Sequence, residues 1–156
     1  MKYYLAYDGI DMTPGDFYNY CPNAVCIGHA TLSGYQLVFR GSDETGTLLS
    51  LDKAKPHSTV PGLIYQMPDR DARSLDRFEG FPRFCSKVRQ KVSVQDFLSG
   101  IVIGEVDAFT YILWDKAVFS KPDEEYYDLC LACYNRFGFD ETLLEEAYER
   151  SCGCKR

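Results

Sequence analysis

The chain has 156 residues, enough for one domain with a substantial core, and its 46% hydrophobic and 26% charged residues are ordinary for a soluble globular protein. A net charge of −6 argues against nucleic acid, which needs a basic stripe to neutralise phosphates, and against an anionic membrane surface. No apolar run approaches the length of a transmembrane helix, and the apolar stretch in Met1–Leu5 is too short for a secretion signal, so a cytoplasmic setting is expected.

Aromatic residues are abundant, with 12 Tyr and 10 Phe, and such rings suit pleated sheet surfaces. Tyr3 to Tyr7 reads as a first buried strand and Asp8 to Met12 as a loop. Thr13-Pro14-Gly15-Asp16 carries the signals of a helix start: a hydroxyl at the cap, proline at the first position and an acid in the first turn. That helix runs to about Tyr20 and is ended by Cys21-Pro22-Asn23. Ala24 to Phe39 alternates, and Gly34 breaks it, which predicts two strands in a hairpin.

Arg40 to Gly46 is a polar loop, Thr47 to Leu51 a short strand, and Lys53 to Thr59 a loop around Pro56. Val60 to Met67 is a strand entered through a turn. The spacing of Ala72, Leu75 and Phe78 predicts a helix over Asp69 to Phe78. Arg83 to Val94 and Ile101 to Leu113 read as strands. Pro122 opens a helix with Asp123, Glu124 and Glu125 in its first turn, where the macrodipole favours them, and a second helix covers Glu141 to Arg150. The expectation is a single domain over 1–156, with C-terminal helices at about 122–150 and a mobile tail at 151–156.

Seven scattered cysteines are an odd number and suit reduced thiols better than a secreted disulfide framework. A gap of 18 residues separates the pair Cys130 and Cys133 from the pair Cys152 and Cys154, a separation similar to a zinc ribbon's. The first pair falls inside a helical pattern, however, so buried helix cysteines and a free tail are expected, with no metal. His29 lies in a predicted strand and His57 beside Pro56, and no nucleophile elbow is near either, which argues against a His/Cys hydrolase.

The segment Leu75-Asp76-Arg77-Phe78-Glu79-Gly80 sets a lone carboxylate at the foot of an amphipathic helix, before a glycine turn. One reading is an exposed Glu at a helix end. The other is a carboxyl near apolar surface, where desolvation raises its pKa and makes it a proton acceptor near neutrality.

Three clusters in matching order give the chain a family likeness. The first is Tyr4-Leu5-Ala6-Tyr7, then a Gly-containing loop and Met12. The second is Cys21-Pro22-Asn23-Ala24, Gly28-His29-Ala30-Thr31-Leu32, Gly34-Tyr35-Gln36-Leu37 and Phe39. The third is Pro61-Gly62-Leu63-Ile64-Tyr65 and then Leu75 to Gly80; Tyr111, Lys121-Pro122, Tyr126 and Gly138-Phe139-Asp140 add to it. In these the chain resembles the γ-glutamylcyclotransferase-like superfamily, which includes γ-glutamylamine cyclotransferases and AIG2-like proteins, over roughly residues 3 to 150.

The resemblance implies an α+β fold, a small mixed β-barrel with flanking helices. It implies a small-molecule γ-glutamyl substrate and Glu79 as catalytic acid/base. It also implies a substrate-binding loop after the first strand, here Tyr7, Asp8, Gly9, Ile10 and Asp11, holding the γ-glutamyl group through backbone amides. Tyr7 and Tyr111 either line the pocket, hydrogen-bond the substrate or fill core. The implied reaction is attack of the substrate's α-amine on its own γ-carbonyl, which forms 5-oxoproline and expels an amine or amino acid. The nucleophile is already tethered, so no metal, nucleotide or other cofactor is needed.

The chain departs from the family where the substrate is read. The family's Tyr-Gly-Ser-Asn becomes Tyr7-Asp8-Gly9-Ile10-Asp11, one residue longer, with Ile10 at the Ser position and Asp11 near the Asn position. Phe84 stands where a Tyr is frequent. Two added negative charges near a docking carboxylate cost roughly 1–4 kcal/mol at about 4 Å. Two outcomes are therefore open: a cyclotransferase with an altered substrate, such as a γ-glutamylamine bearing positive charge, or a non-catalytic module that binds another metabolite or a protein in the same cavity.

Overall fold

The computed structural model describes residues 1–114 and 117–156. Eight strands and four helices follow in the order β1 (Lys2–Ala6), α1 (Pro14–Tyr20), β2 (Val25–Ser33), β3 (Tyr35–Ser42), β4 (Gly46–Lys53), β5 (Thr59–Met67), α2 (Asp69–Glu79), β6 (Cys85–Gln95), β7 (Val102–Leu113), β8 (Val118–Phe119), α3 (Glu124–Phe137) and α4 (Thr142–Cys152). Strands β1, β5, β2, β6 and β7 close into a barrel, and β4, β3 and β8 form a separate sheet. This is the expected α+β class, a small mixed barrel with flanking helices. The barrel is mixed because β1 runs parallel to β7, through Tyr3–Ala108 and Tyr4–Phe109, while its other pairs are antiparallel.

The alternating stretch before Phe39 does form two strands, but they are not a hairpin. β2 pairs with β5 and β6 inside the barrel, whereas β3 pairs with β4 and β8 outside it. The break is Gly34, whose φ of 82° suits glycine and turns the chain from one sheet to the other. Alternation reports which face of a strand is buried and carries no information about its partner. The true hairpin is β3–β4, and it shortens the polar loop expected over 40–46 to residues 43–45.

Smaller differences lie at the ends. Proline at 122 precedes the cap Asp123, so α3 begins at Glu124, and α4 continues through Ser151 and Cys152, two residues assigned to the tail. Packing holds that end: the Phe39 amide donates to Ser151 Oγ at 2.7 Å, and Arg150 donates to the Leu37 carbonyl. The two-residue strand β8 was too short for periodicity to reveal.

Helix α2 packs beside α1. Ala72 and Leu75 are buried as expected, but Phe78 is half exposed and stacks on Tyr20 at 3.8 Å. Asp71, also buried, accepts from the Asn23 amide at 2.7 Å and its side-chain nitrogen at 3.3 Å, which ties α2 to the end of α1. Asp71→Ala leaves that amide unpaired. The expected loss is about 1–3 kcal/mol, which calorimetry should register as a fall in Tm of roughly 2–10 °C.

Candidate active site

A cavity of about 360 Å³ opens where β1 ends, between the barrel and the β3–β4 hairpin. Its walls come from the turn after β1, the foot of α2, the ends of β6 and β7, and β4. Glu79 is the last residue of α2 and one of these wall residues. Gly80 ends the helix in the left-handed region at φ 74°, where its amide and that of Phe81 reach back to carbonyls of the last turn. A Cβ at Gly80 would stand 2.7 Å from the Phe84 ring, so the turn that aims Glu79 needs glycine twice over.

The turn Asp8–Met12 folds on itself. The Met12 amide donates to the Asp8 carbonyl at 3.0 Å, and the Asp11 amide to Asp8 Oδ1 at 3.0 Å. The Asp11 carboxylate is only 2% exposed and accepts from the Tyr4 hydroxyl and from Tyr20 at 3.2 Å. Asp8 accepts from the Tyr126 hydroxyl at 3.1 Å. Glu79 lies within hydrogen-bonding reach of Asp11. Three carboxyl groups thus converge on one wall, and among the described residues none of the three forms an ion pair with a basic side chain.

Burial without a countercharge disfavours ionisation. Burial first, then the charge and hydrogen bond of Asp11, then the charge of Asp8, push the Glu79 carboxyl well above the usual carboxylate range. Asp8 is pushed up to about 7 by burial and by the Asp11 charge, against the opposing pull of the Asp11 amide and the Tyr126 hydroxyl. The site can therefore hold and release a proton near neutrality.

Of the residues named from the sequence, Glu79, Tyr7, Asp8, Ile10, Asp11 and Tyr111 all border this cavity, and Gly9 does not. Gly9 faces α3 instead, where a Cβ would stand 2.8 Å from the Cys130 backbone nitrogen and 2.8 Å from the Leu129 side chain. The expected ring of amides is thus reduced: Asp11 spends its N–H inside the turn, Gly9 lies against α3, and Ile10 is the residue of the three that borders the cavity with an amide unbonded among the described residues.

Both tyrosine hydroxyls turn away from the cavity. Tyr7 donates to the Tyr111 carbonyl at 2.7 Å, and Tyr111 donates to Asp76 at 2.5 Å. Asp76 is paired with Lys87 at 2.8 Å, and the Lys87 ammonium rests 4.5 Å from the Phe81 ring centre. Each hydroxyl is thus engaged within the protein.

The sequence reading missed Arg77, Glu44 and Thr45, which also border the cavity. Arg77 had no usable signal, because residues two apart on a helix do not share a face. Glu44 and Thr45 sit in the hairpin turn and had none. Cys130 and Cys133 are buried in α3, and no cluster of metal-ligating side chains occurs among the described residues. No helix among them is long and apolar enough to cross a membrane.

Similar folds are known. One γ-glutamyl cyclotransferase structure shares 19% identity over 94% of this chain and 85% of its own, with a TM-score of 0.73. An AIG2-like protein from Mus musculus is 22% identical over 72% of this chain and 76% of its own, at 0.54. A glutathione-specific γ-glutamyl cyclotransferase from yeast covers 99% of both chains at 10% identity and 0.57. No curated protein sequence matches significantly. The family model described as "Gamma-glutamyl cyclotransferase, AIG2-like" matches residues 12–129, a span that begins just past the divergent turn. The chain belongs to the γ-glutamyl cyclotransferase, AIG2-like family.

Proposed function

We propose that the protein releases 5-oxoproline from a γ-glutamyl amine or γ-glutamyl amino acid, with Glu79 as the proton carrier. One observation carries this reading: Asp8, Asp11 and Glu79 gather at a cavity wall and, among the described residues, none of them is ion-paired. The substrate's α-ammonium supplies the missing charge. Its arrival favours ionised carboxylates, so Glu79 loses its proton on binding and becomes the base the reaction needs.

Glu79 then takes one proton from the α-ammonium. The freed amine attacks the γ-carbonyl carbon, the oxyanion forms within reach of the Ile10 amide, and a C–N bond closes the five-membered ring. The α-nitrogen passes a second proton, and Glu79 returns the first, to the departing nitrogen, whose bond to carbon breaks. The products are a neutral lactam and a protonated amine. Arg77 borders the cavity, and by turning from its bond to Ser74 at 3.1 Å it would receive the substrate's α-carboxylate and offset the acidic turn. Seven free thiols suit a reducing, cytoplasmic setting.

The loss of two loop amides from the cavity favours a second reading, a module that binds an ammonium compound without turning it over. Product formation separates the two. Incubation with a panel of γ-glutamyl dipeptides and γ-glutamylamines should yield 5-oxoproline, and binding without product would establish the module instead. Glu79→Gln is expected to lower kcat by about 10²–10⁴-fold with Tm preserved.

The pH dependence has a definite sign. Glu79 works as base only when ionised, and its raised pKa puts the acid limb of kcat/KM well above the usual carboxylate range. Asp8 raises that pKa, so Asp8→Asn should move the limb to lower pH in a pH–rate profile. Asp8 also holds its proton more tightly folded than unfolded, so its contribution is unfavourable once pH exceeds the unfolded pKa and grows until about 7. The variant's Tm should exceed the parent's at pH 8 by a few degrees, about 1 kcal/mol or more, and the gap should narrow at pH 5.

A further inference from the structure

Beside the catalytic cavity lies a second hollow of about 230 Å³. The two share four wall residues, Glu44, Thr45, Phe84 and Leu113, so they are lobes of one groove. The second lobe adds Arg83 and Trp114. Trp114 is the chain's one tryptophan and is 40% exposed, a large ring left open to water beside a concavity. Its backbone amide donates to the Phe84 carbonyl at 3.1 Å, which fixes the end of β7 against the start of β6 and sets both aromatic residues on the same hollow.

Among the described residues the charges at this lobe are matched. Arg83 pairs with Glu44 at 3.4 Å, and its guanidinium lies 4.8 Å from the centre of the Phe84 ring. The Ser42 and Thr45 hydroxyls lie 3.1 Å apart and bond to each other, and the rest of the described wall is apolar: Phe84, Leu113, Trp114 and Ala117. Phe84, read from the sequence as a lost hydroxyl, is here part of an apolar wall.

The reaction chemistry assigns an occupant to this lobe, on the proposed cyclotransferase reading. Glu79 serves both the α-nitrogen and the departing nitrogen, so the departing nitrogen starts beside Glu79. Whatever it carries must run away from the carboxylate wall. The turn Asp8–Asp11 closes one side, and the shared residues Phe84 and Leu113 lead into the second lobe. We propose that the preferred substrate is a γ-glutamyl compound whose leaving portion bears an aromatic or large aliphatic group, held against Phe84, Leu113 and Trp114.

The lone tryptophan makes the subsite directly observable. Full-length Glu79→Gln protein, titrated with γ-glutamylphenylalanine, should show a saturable change in tryptophan emission, and γ-glutamylglycine should not produce it. In turnover, the parent protein should favour γ-glutamylphenylalanine over γ-glutamylalanine by at least about tenfold in kcat/KM. Trp114→Ala should bring that ratio down toward one. Equal turnover of the two substrates, or a preference for γ-glutamylputrescine, overturns the subsite while leaving the cyclotransferase reading standing. Failure to release 5-oxoproline from any of them overturns both.

Discussion

Placing three carboxyl groups on one wall, with no ion pair to any of them among the described residues, is the constraint on which this molecule turns. Like charges at contact distance repel by roughly 1–4 kcal/mol even with substantial screening, and burial raises the cost. The protein meets it by proton retention and by hydroxyl donors: Tyr4 and Tyr20 on Asp11, Tyr126 on Asp8. An unliganded site of this kind is electrostatically incomplete. On the proposed cyclotransferase reading, a ligand ammonium would relieve the repulsion and, in doing so, activate the group that must accept its proton.

The scaffold delivers each partner from a different element. β1 and the turn behind it bring Tyr4, Asp8 and Asp11, and α1 brings Tyr20. The foot of α2 brings Glu79, aimed by a glycine that no side chain could replace without meeting Phe84. The separate β4–β3–β8 sheet supplies the opposite wall through Thr45, Leu48 and Leu49. Because β3 leaves the barrel at Gly34, that sheet stands across the mouth of the cavity and does not extend the barrel.

Much of this was legible in the residues. The helix over Asp69–Glu79 follows from apolar spacing, and the cap at Gly80 follows from glycine's access to positive φ. Strand partners were not legible, because period-two alternation is the same whether β3 continues the barrel or starts another sheet. The acidity of the turn was plain, but its consequence was not. Asp8 and Asp11 read as obstacles to a substrate carboxylate; their position beside Glu79, which only the fold brings about, is what the proposed reading assigns to the ammonium end. Gly9 read as an amide donor to substrate; the contact with α3 that demands a glycine there lies about 120 residues further along the chain and leaves no local trace.

Tyr126 shows how far the site extends. Its one hydroxyl donates to Asp8 and accepts from the Leu49 amide at 2.9 Å, joining the acidic turn, the outer sheet and α3 at a single oxygen. The neighbouring turn of the same helix packs on Gly9, and Tyr134 donates to the Tyr7 carbonyl at 3.2 Å. The C-terminal half is therefore no appendage to a self-sufficient barrel. Grafting the barrel and its glutamate alone onto another protein would transplant the shape and leave behind the clamp that keeps its acidic turn folded.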